Sequence, residues 1–336
     1  MSLVQMPAVQ NTLQHLLDEN ARFALGARGT TNHCPMALVA LARMGAAPDR
    51  LQAFFARWTE KYAIIETQPA IALAGNDWLA QVGNPAAFSS LCRHFAQAIG
   101  HDGAPAVMGV VLSLAPHAPA TDAFHAVIRM GYGIEAGHAG EIASGLASYV
   151  ATNLPIDIDC TGRATAVSVE EGFAAVSDQL AGREWPVGSI TGRLKAIAAD
   201  PTFRRALQSP PAGPALLDDL ARASIALYWQ TADFTVLHMV TGLYAARSVL
   251  SQLPASLVHQ MRPSIWAALC AAYVSVGAPP LIPIDAPTVS AAWPELLQRA
   301  IASDDDHVIK MVYTCFRESA QYPDSSFYLA AASRLV

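Results

Sequence analysis

Four histidines sit at the start of, or inside, strongly apolar helical stretches: His33 in "TTNHCPMALVAL", His125 in "DAFHAVIRMGYGIE", His238 in "FTVLHMVTGLYAA" and His307 in "DDDHVIKMVYTCF". An imidazole in such a place does one of two things. It is a core residue whose ring nitrogens are satisfied by a carbonyl or hydroxyl, or it joins others around a metal. Helix bundles build metal sites by aiming one or two ligands inward from each of several helices. Lys310 follows His307 by three residues, about 300° of helical rotation, so the two side chains lie within roughly 60° of each other. Burying an ammonium among Val, Ile, Met and Phe is costly unless it is paired or chemically changed. The ordinary alternative is a snorkelling lysine that reaches water and pairs with Asp306 or Glu318.

Other chemical signatures are weak. "MGYGIEAG" (130–137) has a loose G-x-G spacing, but it follows a helical pattern rather than the strand and tight turn that a dinucleotide site requires. The His-Asp pair of "GHDGAP" lies among Gly and Pro and reads as a surface loop. There is no HExxH, no GxSxG, no phosphate-binding loop and no Cys/His cluster with zinc spacing. The histidines and Lys310 are therefore the chemistry this chain offers, and their spacing permits convergence without showing it.

The elements that must position them are helical. Of the 336 residues, 53% are hydrophobic and 14% charged, well under the roughly 25% charged of an average soluble domain. Such a chain buries a large core, and residues 1–336 read as one domain. A net charge of −6, with no basic stripe, argues against a nucleic-acid partner. No apolar run reaches the ~20 residues that span a bilayer, and the amphipathic start carrying Asp18 and Glu19 is not a signal peptide. Five separated cysteines without a CxxC pair read as reduced core residues of a cytoplasmic protein.

"CPMALVALARMG" opens with Pro35 and stops at Gly45; "NPAAFSSLCRHFAQAIG" is capped by Asn84 and ends at Gly100; Ser168 and Glu171 form a capping box. Further helices run through "LLDDLARASIALYW", "FTVLHMVTGLYAARSVLS", "SLVHQMRPSIWAALCAAYVSV" and "TVSAAWPELLQRAIAS". Residues 154–160, 209–215 and 276–287 read as an extended connection and two loops. The expectation is an all-α fold of roughly a dozen helices, packed as antiparallel hairpins around a central pocket.

The four histidine blocks also carry a resemblance. "NHCPMALVALARMGAAPDRLQAFF", "FHAVIRMGYGIEAG", "LHMVTGLYAAR" and "DDDHVIKMVYTCF" resemble, in order and across nearly the whole chain, the questin oxidase-like family. Its fungal members open a ring of an anthraquinone-type substrate in a Baeyer–Villiger-like oxidation. The resemblance implies a non-haem iron oxygenase, with His33, His125, His238 and His307 as metal ligands and a carbamylated Lys310 as the fifth. Fe(II) is the expected ion, with another divalent metal as the alternative. The partners it implies are O2 and a small aromatic substrate, with reducing equivalents supplied externally, by the substrate or a separate reductase. Where the fungal enzymes carry further histidines after the Asn-His, this chain has Cys34, Pro35 and Met36, so the anthraquinone itself is not transferred.

Helical spacing adds candidates around the ligands. Tyr132 lies seven residues past His125, Thr241 three past His238 and Thr314 seven past His307, each able to orient an imidazole or donate to a bound oxygen species. A mid-helix threonine otherwise bonds its own i−4 carbonyl. Glu135 is a candidate base or a solvated end-of-helix acid, and Asn32 a candidate cap. Two other functions stay open at this level: a non-catalytic helical protein that binds a small ligand or acts as a scaffold, with structural histidines, and a zinc or manganese hydrolase on the same ligands.

Overall fold

The computed structural model describes residues 5–156, 158–186, 188–281, 289–323 and 326–336. They form 16 α-helices and one two-stranded hairpin, an essentially all-α fold. In chain order these are α1 (Gln5–Asn20), the hairpin β1 (Gly26–Ala27) and β2 (Thr30–Thr31), α2 (Cys34–Met44) and α3 (Pro48–Tyr62). After two 3-10 turns come α4 (Phe88–Asp102), α5 (Ala104–Leu114), α6 (His125–Ala136), α7 (Ala139–Ala151), α8 (Val169–Leu180), α9 (Ile190–Ala199) and α10 (Pro201–Ala206). The last six are α11 (Leu216–Thr231), α12 (Phe234–Leu250), α13 (Ala255–Ser275), α14 (Trp293–Ala302), α15 (Asp306–Gln321) and α16 (Phe327–Leu335).

Local chemistry sets the helix ends. Gly45 closes α2 in the left-handed conformation (φ 97°), returning its N–H to the carbonyls of Leu41 and Ala42, a geometry glycine adopts without steric penalty. Asp233 caps α12 through the amides of Thr235 and Val236, and Asp305 caps α15 through those of His307 and Val308. Ser168 accepts from Glu171 N at 3.2 Å, and the Glu171 carboxylate returns to Val167 N, one residue short of the reciprocal capping-box bond.

Several boundaries differ from the sequence reading. Asn84 caps a 3-10 turn that leads into α4, and α4 runs through Gly100 to Asp102 because the left-handed residue is Gly103 (φ 84°). "GHDGAP" is therefore a junction between α4 and α5 broken at one residue rather than a loop. "MGYGIEAG" is helical to Ala136. α14 begins only at Trp293, where Pro294 falls in the first turn. Residues 209–215 form a loop and 154–156 an extended connection; the expected loop at 276–287 lies outside the described residues beyond 281.

Four helices matter most for function. α2 packs on α6, α6 on α12, α12 on α15 and α15 on α2, closing a ring. Glycine permits the tightest of these contacts: a Cβ on Gly131 of α6 would lie 2.8 Å from the Cβ of Ala245 on α12. α6 and α12 carry apolar residues on nearly every face and are buried along most of their length. Among the described residues, no helix is long and apolar enough to cross a membrane.

Candidate metal centre

Each helix of the ring delivers one of the four histidines from its N-terminal end. His33 is the residue before α2, His125 the first of α6, His307 the second of α15 and His238 the fifth of α12. Their imidazoles meet. Ring centroids are 4.5 Å apart for His33 and His125, 4.8 Å for His125 and His238, 5.5 Å for His238 and His307, and 4.6 Å for His307 and His33. Residues from positions 33 to 307 thus form one closed cluster, with His33, His125 and His238 buried and His307 partly so.

Hydrogen bonding decides what the cluster can do. Each Nδ1 faces an atom that only accepts: the Asp122 carbonyl for His125, the Phe234 carbonyl at 2.7 Å for His238, and Asp306 Oδ1 at 2.9 and 3.0 Å for His33 and His307. The proton of a neutral imidazole therefore sits on Nδ1 in all four, and each Nε2 presents a lone pair. The Nε2 atoms of His33 and His307 are buried without a partner. Those of His125 and His238 stand 3.2 Å apart, where two lone pairs repel rather than bond. Two nitrogens bound to one metal at 2.0–2.1 Å would be about 2.8–3.4 Å apart, for right-angle to tetrahedral geometry. The orphaned nitrogens and this spacing fit a shared cation.

The local field disfavours the charged form of His33, His125 and His238. Burial, followed by the charge of Lys310, pushes His33 down to about 4 despite Asp306 beside it. Burial also holds His125 and His238 well below the usual histidine range. Helix N-termini carry partial positive charge and disfavour imidazolium in the same way. Asp306 is the hinge of the arrangement. Burial works against its charge, but Lys310 and His33 outweigh that and hold its carboxyl well below the carboxylate range. One oxygen, Oδ1, accepts from His33 and His307 and lies 3.6 Å from Lys310 Nζ. This is the carboxylate–histidine support typical of metal ligands. Asp305 and Asp306 also cluster with His307, but Asp305 is engaged as the helix cap and Asp306 as the acceptor for the two rings.

Lys310 is 2% exposed, so it does not snorkel, and Glu318 is taken by Arg247 at 2.5 Å. Of the partners read from sequence only Asp306 remains, and burial lowers the lysine's affinity for its proton. Sequence reasoning missed Asp306 as the orienting group for two histidines. Its place next to His307 and four residues before Lys310 was the available signal.

Strain holds His125 in place. Asp122, Ala123 and Phe124 all adopt left-handed φ values of 50°, 56° and 71°, which L-residues visit singly if at all. The turn is over-determined. Ser148 of α7 and Thr152, the residue that follows this helix, donate to Asp122 Oδ2 at 2.8 and 2.7 Å, and Phe124 presses on Gly242, where a Cβ would come within 2.9 Å of the Phe124 Cβ. The result aims the Asp122 carbonyl at His125 Nδ1. Ala123→Gly relaxes this turn at no steric cost. It is expected to change stability by no more than about 1 kcal/mol while weakening metal binding by roughly tenfold or more, as for other losses of ligand support. Thermal melts with and without metal, and chelator competition, measure the two effects.

The side chains considered for proton chemistry have other hydrogen-bond partners. Thr241 donates to the Leu237 carbonyl at 3.0 Å, the ordinary back-bond within its helix. Tyr132 is carried about 10.5 Å along α6 from His125, and its hydroxyl lies 3.5 Å from Thr314 Oγ1. Glu135, about 15 Å along the same helix, accepts from Tyr244 and Tyr313 at 2.5 and 2.6 Å. The structure does not bring Glu135 to the cluster, and the base read from sequence is part of a tyrosine network instead. Asn32 accepts from Cys34 N at 3.3 Å and donates to Asn20. Phe234, unremarked in the sequence, is 52% exposed and sits 4.7 and 4.6 Å from the rings of His238 and His307.

A family model described as Questin oxidase-like matches residues 30–230 and 215–315. The chain belongs to the questin oxidase-like family. Membership implies an oxidoreductase, and the matched segments contain all four histidines and Lys310 of this questin oxidase-like chain. No curated protein matches it.

Proposed function

We propose that this protein is a metal-dependent oxygenase, in which the Nε2 atoms of His33, His125, His238 and His307 hold one divalent ion and Lys310, as its carbamate, supplies an anionic oxygen ligand. One observation carries the reading: four imidazoles, three buried and one partly so, commit their Nδ1 atoms to acceptors, while one ring nitrogen each of His33, His125 and His307 lies within 4.8 Å of the others and His238 Nε2 lies 3.2 Å from His125 Nε2. Structural core histidines have no need of that arrangement. Imidazoles with one carboxylate-type oxygen suit Fe(II). Bound there, iron would supply the one-electron chemistry that lets O2 react with an electron-rich ring.

The remaining parts belong to the chain. Asp306 orients two ligands and pairs with Lys310 before the amine is modified. Carbamate formation makes a bond between Nζ and the carbon of CO2 and releases a proton, and the burial that lowers the lysine's affinity for its proton favours it. Phe234 offers one exposed ring face beside His238 and His307, a seat on which a flat substrate stacks. The reaction class that fits is Baeyer–Villiger-like insertion of oxygen into a ring of a polycyclic phenol or quinone, with external reducing equivalents.

Iron-loaded protein is expected to consume O2 when given reduced polycyclic quinones and to place one 18O atom from 18O2 in a ring-opened product. Absence of substrate-dependent uptake across such a panel contradicts the reaction. With 13C-bicarbonate, a carbamate carbon resonance that disappears in Lys310→Arg supports the fifth ligand. Its absence leaves Lys310 as the ammonium paired with Asp306.

A further inference from the structure

Three tyrosines lie one layer beneath the histidines. Tyr132 is seven residues after His125, Tyr244 six after His238 and Tyr313 six after His307, so each sits about 9–10.5 Å further along the same helix. Their rings form a closed triangle, with centroids 6.3 Å apart for Tyr132 and Tyr244, 6.0 Å for Tyr132 and Tyr313, and 6.1 Å for Tyr244 and Tyr313. Glu135 accepts from the hydroxyls of both Tyr244 and Tyr313, and Arg317 donates to the Tyr313 hydroxyl at 3.0 Å. Glu135, Tyr244 and Arg317, with Arg247, also line a surface cleft of about 260 Å³. Satisfying a half-buried carboxylate accounts for two of the phenols but not for Tyr132, which has no bond to it.

We propose that Tyr132, Tyr244, Tyr313 and Glu135 form a redox relay that carries single electrons between the surface cleft and the histidine site. The relay rests on the oxygenase reading, which requires externally supplied electrons. A one-electron oxidant derived from O2 at the histidine site draws an electron from the Tyr244–Tyr313 pair. The phenol that loses it passes its O–H proton to Glu135, leaving a neutral phenoxyl radical and a carboxylic acid. A small one-electron donor at the cleft returns the electron, and Glu135 returns the proton. Tyr132 has only the Thr314 hydroxyl within reach and no base, so its ring conducts between the layers without being oxidised. Burial raises all three phenols above their ordinary range, Tyr313 to about 12. Oxidation must therefore release a proton, and a hydrogen-bonded carboxylate is placed to receive it.

Metal-free full-length protein, oxidised with photogenerated tris(bipyridine)ruthenium(III) and freeze-quenched, isolates the relay from the metal. The expected result is a tyrosyl electron paramagnetic resonance signal that loses most of its amplitude in the double variant Tyr244→Phe/Tyr313→Phe and decays faster in Glu135→Gln. Circular dichroism confirms that the variants fold. A signal of undiminished amplitude in the double variant places the radical on other tyrosines and overturns the proposal. In iron-loaded protein exposed to O2 without substrate, the radical should appear in wild type and Tyr132→Phe and be lost in Tyr132→Leu; no radical in protein shown to contain iron also overturns it. Protein that takes up no metal instead refutes the oxygenase reading, and the metal-free experiment separates the two failures.

Discussion

Replacing His238 by Ala is expected to abolish stoichiometric metal binding while leaving the melting temperature of the metal-free protein nearly unchanged. His238 and His125 hold their Nε2 lone pairs 3.2 Å apart, an arrangement that costs free energy unless a cation lies between them. Removing one ring relieves that repulsion and loses packing against Phe234 and His125; the two effects oppose each other. With metal present the balance is different. Wild type gains RT ln(1 + [L]/Kd), about 4 kcal/mol at a thousandfold excess over Kd, and the variant gains almost none of it. The check is a pair of thermal melts, with Fe(II) and with chelator. If the histidines were structural, the metal-free melt would fall and added iron would make no difference.

The second large effect is predicted for Asp306→Ala. This carboxylate is buried, serves as acceptor for His33 and His307, and faces the ammonium of Lys310 at 3.6 Å. Removing one partner of a buried ion pair leaves an uncompensated charge and costs about 3–5 kcal/mol. For a chain of this size that is a fall in Tm of about 4–7 °C. The companion variant Asp306→Ala/Lys310→Met removes both charges and should recover most of the lost stability, since an apolar pair often replaces a buried ion pair at little cost. It should not recover metal binding, because two imidazoles still lack the group that fixes their tautomer. Equal Tm values for the single and double variants would show that the Lys310–Asp306 pair does not carry the stability.

Much of this was legible in the chain. Helical periodicity, Gly45, Ser168 and the absence of alternating strands specify an all-α fold because those signals are local. The four histidines stood out because imidazoles are unusual in apolar helices. What spacing could not convey is that helices starting at residues 34, 125, 234 and 306 form a ring with their N-terminal ends together; that is a product of long-range packing. The strained turn at 122–124 has no sequence signal, since none of its residues is glycine and the neighbours that enforce it lie in α7 and α12. The partners of Glu135 were hidden for a similar reason. Its helical phase against His125 was readable, but not the two phenols from α12 and α15 that claim its carboxylate.

The most direct test of the central claim is the metal content of untagged protein, purified without chelator, measured by inductively coupled plasma mass spectrometry. The account predicts about one iron per chain in wild type and none in the double variant His125→Ala/His238→Ala, with the metal-free fold preserved in both. Wild-type protein that is free of metal and refuses added Fe(II) would contradict it.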